Sequence, residues 1–195
     1  MSVKEDRLWA ENQNIKKWRS RVVTWRTIGN TTPPDTYEFS YDLKSIIGFA
    51  ASGKPIFHKG FKVLVEFIGD YPREKPIVRF DIRSKPWPLH PNIWKSGVVC
   101  LEGTQNWVPG VGVSLPSICQ MVGEIIAYQE MYTKSPANAD DDLINWVEKN
   151  IKLEEGTLNR VKNPIDSSTV RLPDADDAIS WGDNSSGSQG RITFG

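Results

Sequence analysis

The spacing of apolar residues changes from a helical period to a strand period early in the chain. Residues 4 to 19 carry an apolar stripe at helical spacing, which predicts an amphipathic helix: Leu8, Trp9, Ile15 and Trp18. Residues 22 to 28 are β-branched and aromatic, so they predict a strand close behind the helix. A loop rich in Asn, Thr and Pro follows at residues 29 to 35.

Apolar and polar residues then alternate in several short runs. Residues 37–41, 44–50, 61–68 and 77–80 each predict a strand, with the clearest alternation from Phe61 to Phe67. Gly- and Pro-containing breaks separate the runs at residues 51–55 and 69–76. Such close spacing predicts a four-stranded antiparallel meander.

The C-terminal half predicts two helices and a tail. Ser114 can cap a helix and Pro116 suits its first turn, and apolar residues at helical spacing follow as far as Ile126. Residues 140 to 153 predict a further helix, whereas the chain from residue 156 is polar and low in complexity. We therefore expect one α+β domain over residues 1–155 and a mostly disordered tail over 156–195.

Composition and charge narrow the classes of partner. Lys and Arg together number 24, as do Asp and Glu, so no bulk charge favours nucleic acid or an anionic membrane. No apolar run approaches the ~20 residues of a membrane span. The 2 cysteines do not make a disulfide framework. We expect a soluble, cytoplasmic protein with no nucleic-acid or membrane partner.

The chemistry-bearing residues concentrate in residues 88–103, which hold one of the 2 cysteines and one of the 2 histidines. Pro88 and Pro91 oppose regular structure there, and Gly97 permits a tight turn. Apolar neighbours would anchor Cys100 at the edge of a loop. A thiol in that position is a candidate nucleophile.

Cys100 could also belong to other kinds of site. Zinc binding needs about four ligands at paired spacing, which the 2 cysteines and 2 histidines do not offer, so no metal site is expected. No protease signature and no phosphate-binding glycine loop is present. A packed structural thiol in a binding module stays open, and Cys119, inside a predicted helix, is expected to be a small buried apolar residue.

An ordered set of motifs over residues 69–109 resembles the core signature of the ubiquitin-conjugating enzyme family. The matching residues are Tyr71-Pro72, Pro76, Val78, Phe80, His90-Pro91-Asn92, Gly97, Val99-Cys100-Leu101 and Trp107-Val108-Pro109. The ten-residue step from His90 to Cys100 is the family's usual step. The resemblance extends over roughly residues 5 to 152 and implies the UBC fold.

The resemblance implies roles for five site residues. Cys100 would accept the C-terminal carboxyl of a ubiquitin-like protein as a thioester and pass it to a lysine or another amine. Asn92 would order the loop and donate to the oxyanion, and His90 would be structural. Ser135 would orient or deprotonate the incoming lysine, and Glu102 matches an acidic gate. A non-catalytic UBC-fold module that binds ubiquitin-like proteins is the alternative.

The resemblance also implies partners. They are a ubiquitin-like modifier, an activating enzyme that uses the ATP, and a target lysine; this chain itself would need no cofactor. The activating enzyme would dock on basic residues of the first helix: Lys4, Arg7, Lys16 and Lys17. Such charges are also typical of a solvated helix face. Many relatives carry an apolar residue at the position of Arg73, and that residue inserts into a RING-type ligase. Whether this chain uses such a ligase therefore stays open. Ser135 is a weaker base than the Asp of many relatives, and the loop from Cys100 to Trp107 is one residue shorter than in common members. These three departures suggest a divergent member, for example one from a bacterial conjugation operon.

Overall fold

An N-terminal helix, four strands and two further helices follow one another along the chain. In this computed structural model the described residues are 2–101, 113–131, 141–156 and 160–171. The elements are α1 (Val3–Lys17), β1 (Val23–Thr27), β2 (Thr36–Phe49), β3 (Pro55–Glu66), β4 (Ile77–Phe80), α2 (Leu115–Ile126) and α3 (Asp141–Asn150). The strands pair antiparallel in the order β1-β2-β3-β4, which confirms the predicted α+β fold and meander.

The strand assignment differs from the prediction in one respect. Residues 37–41 and 44–50 belong to a single strand, β2, and the run near residues 22–28 supplies the fourth strand as β1. The reason is a register shift between Tyr41 and Lys44. Tyr41 pairs with Phe61 and Lys44 pairs with Lys59, so β2 contains one residue more than β3 over this stretch. A bulge of this kind interrupts the alternation of side chains without ending the strand.

The core lies between the sheet and the helices α1 and α2. Alternate residues of β2 and β3 enter it, and α2 contributes a fully buried face with Leu115, Ile118, Cys119 and Val122. Ser114 caps α2 as predicted, since its hydroxyl accepts the N–H of Ser117. Among the described residues, no helix is both long and apolar enough to cross a membrane.

A buried carboxylate joins α1 to α2. Glu11 Oε1 accepts a hydrogen bond from the hydroxyl of Tyr71 at 3.0 Å and pairs with Arg7 Nε at 2.8 Å. Its Oε2 accepts the N–H of Leu115 at 2.7 Å, so Glu11 also satisfies a free donor in the first turn of α2. Removing one partner of such a buried pair typically costs ~3–5 kcal/mol, so this network fixes how the two helices meet.

Residues 160–171, beyond the expected domain boundary at 155, pack against the domain as a strap. Val161 and Val170 are buried. Asp166 accepts the backbone N–H of Lys44 at 2.8 Å, and Gln129 Nε2 donates to the carbonyls of Asp166 and Ser168. This differs from the disorder expected from a polar composition, because the domain supplies hydrogen-bond partners for the strap's polar groups. The predicted tail over residues 172–195 lies outside the described residues.

The contact between the strap and α2 gives a first prediction. A Cβ added at Gly123 would lie 2.6 Å from Val170 Cγ1. Overpacking typically costs ~1–3 kcal/mol, while alanine gains ~0.5–1 kcal/mol over glycine inside a helix. We expect Gly123→Ala to lower the free energy of unfolding by about 1 kcal/mol in urea titrations.

The double variant tests the cause. In the Val170→Ala background the crowding methyl is absent, so the same Gly123→Ala change should become neutral or stabilising. Equal effects of Gly123→Ala in both backgrounds would show that the strap does not pack on α2 in solution, since independent sites add.

Candidate active-site segment around Cys100

The segment that carries Cys100 is a loop closed by backbone hydrogen bonds. The N–H of Cys100 donates to the carbonyl of Asn92 at 2.7 Å, and the N–H of Trp94 donates to the carbonyl of Val98 at 2.8 Å. Gly97 turns the chain with a φ of +84°, a conformation that favours glycine. A Cβ there would also meet the ring of Trp87 at 3.0 Å, so both backbone and space call for glycine.

Two further sets of hydrogen bonds fasten this loop to the sheet. On the β4 side, Phe80 N–H donates to the carbonyl of Gly97 at 2.8 Å, and Val99 N–H donates to the carbonyl of Val78 at 2.9 Å. On the β2 side, Leu89 N–H donates to the carbonyl of Ile46 at 2.7 Å. Cys100 therefore lies in a segment fastened to the sheet, and only 5% of its surface is exposed.

His90 lies completely buried beside this loop, with 0% exposure. Its Nδ1 accepts the backbone N–H of Asn92 at 3.0 Å, and its ring packs on that of Tyr128 with centroids 4.3 Å apart. Burial lowers the pKa of His90 to about 3, against a smaller opposing effect of the Glu130 backbone. The ring is thus neutral near pH 7, and it holds the backbone of Asn92 rather than taking a proton from Cys100.

Asn92 joins these two groups. It donates its backbone N–H to His90 and accepts the backbone N–H of Cys100. The whole residue is buried. Its position suits a role in ordering the loop, because a shift of His90 would move the backbone of Asn92 and, with it, the backbone of Cys100.

The described residues bring together three of the five predicted site residues, namely Cys100, Asn92 and His90. Glu102 and Ser135 lie outside the described residues. The structure describes no group of three or more histidine, cysteine or carboxylate side chains that could hold a metal ion.

The four basic residues of α1 differ in their surroundings. Lys16 and Lys17 are exposed in the last turn of the helix. Lys4 Nζ donates to the carbonyl of Gly69 at 2.9 Å. Arg7 is half-buried and engaged by Glu11 and Tyr71, so its charge serves the core network.

Cys119 is confirmed as a buried, packed thiol. It has 0% exposure in α2, and burial raises its pKa well above the usual value for cysteine. Its backbone carbonyl accepts the hydroxyl of Tyr41 at 3.0 Å. Of the two cysteines, only Cys100 lies in the loop described above.

Sequence reasoning missed two residues that support the site, Glu11 and Tyr128. Glu11 stands among the charges of an amphipathic helix, and Tyr128 directly follows a run of apolar helical positions. Neither position carries a local signal of a tertiary hydrogen bond. Only the three-dimensional contacts of the carboxylate and the phenol reveal them.

Comparison with known proteins agrees with this arrangement. A family model described as ubiquitin-conjugating enzyme matches residues 31–154, which include strands β2 to β4, the Cys100 segment and both later helices. The chain belongs to the ubiquitin-conjugating enzyme family. The predicted resemblance is therefore confirmed at the level of the family, and the fold of this member is the UBC fold described above.

Individual relatives match over part of the chain. Ubiquitin-conjugating enzyme E2 3 of Arabidopsis thaliana is 39% identical over 83 residues, which are 41% of this chain and 49% of the relative. Ubiquitin-conjugating enzyme E2 2 of Candida glabrata is 33% identical over 81 residues, 41% of this chain and 44% of the relative. The chain thus spans about half the length of the curated relatives it matches.

Solved structures of the family resemble the chain as well. Human ubiquitin-conjugating enzyme E2 G1 covers 62% of this chain and 91% of its own, with 21% identity and a TM-score of 0.44. UbcA1 from Agrocybe aegerita covers 76% of this chain and 95% of its own, with 18% identity and a TM-score of 0.48.

The burial of His90 makes stability depend on pH. The folded pKa of about 3 lies below the ordinary value of 6.5, so the unfolded chain takes up a proton that the folded chain refuses. Stability from this group is complete above pH 6.5 and is lost as pH falls, by up to ~1.4 kcal/mol per unit. Between pH 6.5 and 4.5 we expect the free energy of unfolding to fall by about 2 kcal/mol through His90.

Urea titrations of two histidine variants isolate this effect. His90→Asn keeps an oxygen that can accept the Asn92 N–H but does not titrate, so its curve should be flatter over this range. His58→Gln, at the only other histidine of the sequence, is the control for losing one imidazole, and the curve of His90→Asn should be flatter than that of His58→Gln. A slope unchanged by His90→Asn would contradict a neutral buried imidazole.

Proposed function

We propose that this member of the family is an active conjugating enzyme with Cys100 as its nucleophile. The observation that carries the proposal is the anchored loop in which the N–H of Cys100 bonds to Asn92 at 2.7 Å. That loop places a thiol at a fixed point beside β4, where an acyl group could be received. The modifier would be ubiquitin or a ubiquitin-like protein, and the site needs no cofactor of its own.

Loading would proceed by thioester exchange. The Cys100 thiolate attacks the thioester carbonyl that joins the modifier to the activating enzyme. The new C–S bond forms as the old one breaks, and the activating enzyme leaves as a thiolate. One thiolate replaces another, so this step needs no strong base. A neutral His90 is compatible with this chemistry.

Discharge would pass the acyl group to a lysine. The amine attacks the carbonyl, loses a proton, and Cys100 leaves as a thiolate. A free lysine amine has a pKa of ~10.4, so help with deprotonation is worth ~10²–10⁴-fold. We assign that help to Ser135 and the acidic gate to Glu102. Asn92 keeps the loop ordered and, through its amide, would donate to the oxyanion, a role typically worth ~10²–10³-fold.

Partner binding is part of the same proposal. We place the activating enzyme at the C-terminal turn of α1, where Lys16 and Lys17 are exposed. Arg73 is exposed and pairs with Asp70 at 3.1 Å, so it presents a charged surface where relatives offer an apolar one to a RING-type ligase. The cytoplasmic location and the bacterial operon stay predictions, which the neighbouring genes would test.

A loading assay tests the nucleophile. The protein is incubated with ATP, an activating enzyme and a ubiquitin-like protein, and the adduct is followed on gels with and without a reducing thiol. We expect a thiol-labile adduct that is abolished by Cys100→Ala, because the thioester has no other acceptor.

Cys119→Ala is the matched control. It also removes a thiol, but one with 0% exposure in the helix core, so loading should persist. A folded protein that forms no adduct with activating enzymes that load other family members would argue for the non-catalytic binding module.

Charge reversal on α1 tests the docking surface. Lys16→Glu with Lys17→Glu should slow loading by about tenfold, since two favourable contacts become repulsive, each worth ~0.5–1 kcal/mol. Stability should change little because both side chains are exposed. Rates are measured with limiting activating enzyme at low and high salt, and high salt should narrow the difference.

Reversal of one acidic side chain on the same helix provides the comparison. Glu5 and Asp6 lie in its first turn. Asp6→Lys should leave loading unchanged or slightly faster. Equal loading by the Lys16/Lys17 double variant and the unaltered protein would place the activating enzyme elsewhere.

A further inference from the structure

Helix α2 ends in a motif that normally uses glycine, and here it holds Tyr128. Gln129 N–H donates to the carbonyl of Glu124 at 2.8 Å, and Tyr128 N–H donates to that of Ile125 at 3.1 Å. These two bonds form a Schellman motif with Tyr128 at its left-handed position, where φ is +55°. A side chain with a Cβ is disfavoured in that conformation. The tyrosine must therefore be held there by contacts of its side chain.

Those contacts reach the active-site segment. The Tyr128 hydroxyl donates to the backbone carbonyl of Leu89 at 2.5 Å, and the ring packs edge-on against His90 with centroids 4.3 Å apart. Tyr128 is completely buried, and burial raises the pKa of its phenol. The hydroxyl therefore stays protonated and remains a donor.

A continuous chain of contacts runs from this phenol to the nucleophile. His90, which packs on Tyr128, accepts the backbone N–H of Asn92 at 3.0 Å. Asn92 in turn accepts the backbone N–H of Cys100 at 2.7 Å. Tyr128 lies two residues past the end of α2, a helix that contributes a buried face to the core, and a site is most reproducibly held by such rigid elements.

We infer that Tyr128 is a positioning residue. Its contacts fix where the loop from Leu89 to Cys100 lies relative to the end of α2, as transfer of the acyl group to lysine requires. The inference rests on the proposed function. Discharge should depend on this positioning more than loading does, because attack by an amine needs the oxyanion and the incoming lysine to be aligned. Small displacements of reacting groups are known to slow such steps strongly. Loading exchanges one thiolate for another and is less demanding.

The test uses Tyr128→Phe, which keeps the ring and removes only the hydroxyl. Tyr41→Phe is the matched control, because Tyr41 is also buried and also donates its hydroxyl to a backbone carbonyl, that of Cys119 at 3.0 Å. Both variants lose one buried hydrogen bond of the same kind. They differ in that only Tyr128 contacts the active-site segment.

Two measurements on the full chain separate positioning from stability. In single-turnover discharge to free lysine, Tyr128→Phe should lower the maximal rate about tenfold while loading stays within twofold. Tyr41→Phe should leave both within twofold. In amide hydrogen exchange, the N–H groups of Asn92 and Cys100 should exchange at least tenfold faster in Tyr128→Phe than in Tyr41→Phe.

The outcomes are distinct. Equal discharge rates in the two variants, or equal protection of the Asn92 and Cys100 amides, would overturn the inference. Failure of the unaltered protein to load would overturn the proposed function instead. In that case faster exchange in Tyr128→Phe would still support the link between Tyr128 and the loop.

Discussion

The hydrogen bond from the Cys100 N–H to the Asn92 carbonyl is the constraint on which the candidate site depends. It closes a loop that itself forms neither helix nor strand, and fixing each residue of such a loop costs ~1–2 kcal/mol in backbone entropy. Backbone bonds to β4 and β2 offset that cost from both sides. The backbone of Cys100 is consequently positioned by the fold itself. This suits a reaction in which thiolates exchange and position matters more than an adjacent base.

The buried polar groups of the molecule serve the same purpose. Glu11 joins α1 to the first turn of α2, His90 holds the backbone of Asn92, and Tyr128 connects the other end of α2 to Leu89. Hydrogen bonds in a water-poor interior are strong when every partner is satisfied, and costly when one is missing. Helix α2 is thereby fixed at both ends, and Tyr128 at its C-terminal end holds the loop that carries Cys100. Among the described residues near Cys100 there is no catalytic triad. The imidazole of His90, which lies nearby, holds the backbone of Asn92 instead of acting as a base.

Much of this was predictable because it depends on local pattern. The spacing of apolar residues predicts the helices, and Ser114 predicts the cap of α2. The motif around His90, Asn92 and Cys100 indicates the candidate site. The rest depends on contacts between distant residues. The bulge in β2 broke one strand into two apparent runs, and Glu11 looked like any solvated helix charge. The strap over residues 160–171 looked like a polar tail because its bonding partners, such as Gln129 and Lys44, lie far away in sequence.

The strap also changes how the basic surface of α1 is built. The guanidinium of Arg7 is paired with Glu11. The exposed positive charge of the helix therefore lies in its C-terminal turn, at Lys17. Arg171, in the strap, lines the same surface groove as Lys17 and Trp18. The groove is therefore lined by basic residues from two segments more than 150 residues apart in sequence. Packing of Val170 against α2 delivers the second of them. The domain that presents this surface consequently extends past residue 155, and a chain shortened there would lose both a core side chain and part of its positive face.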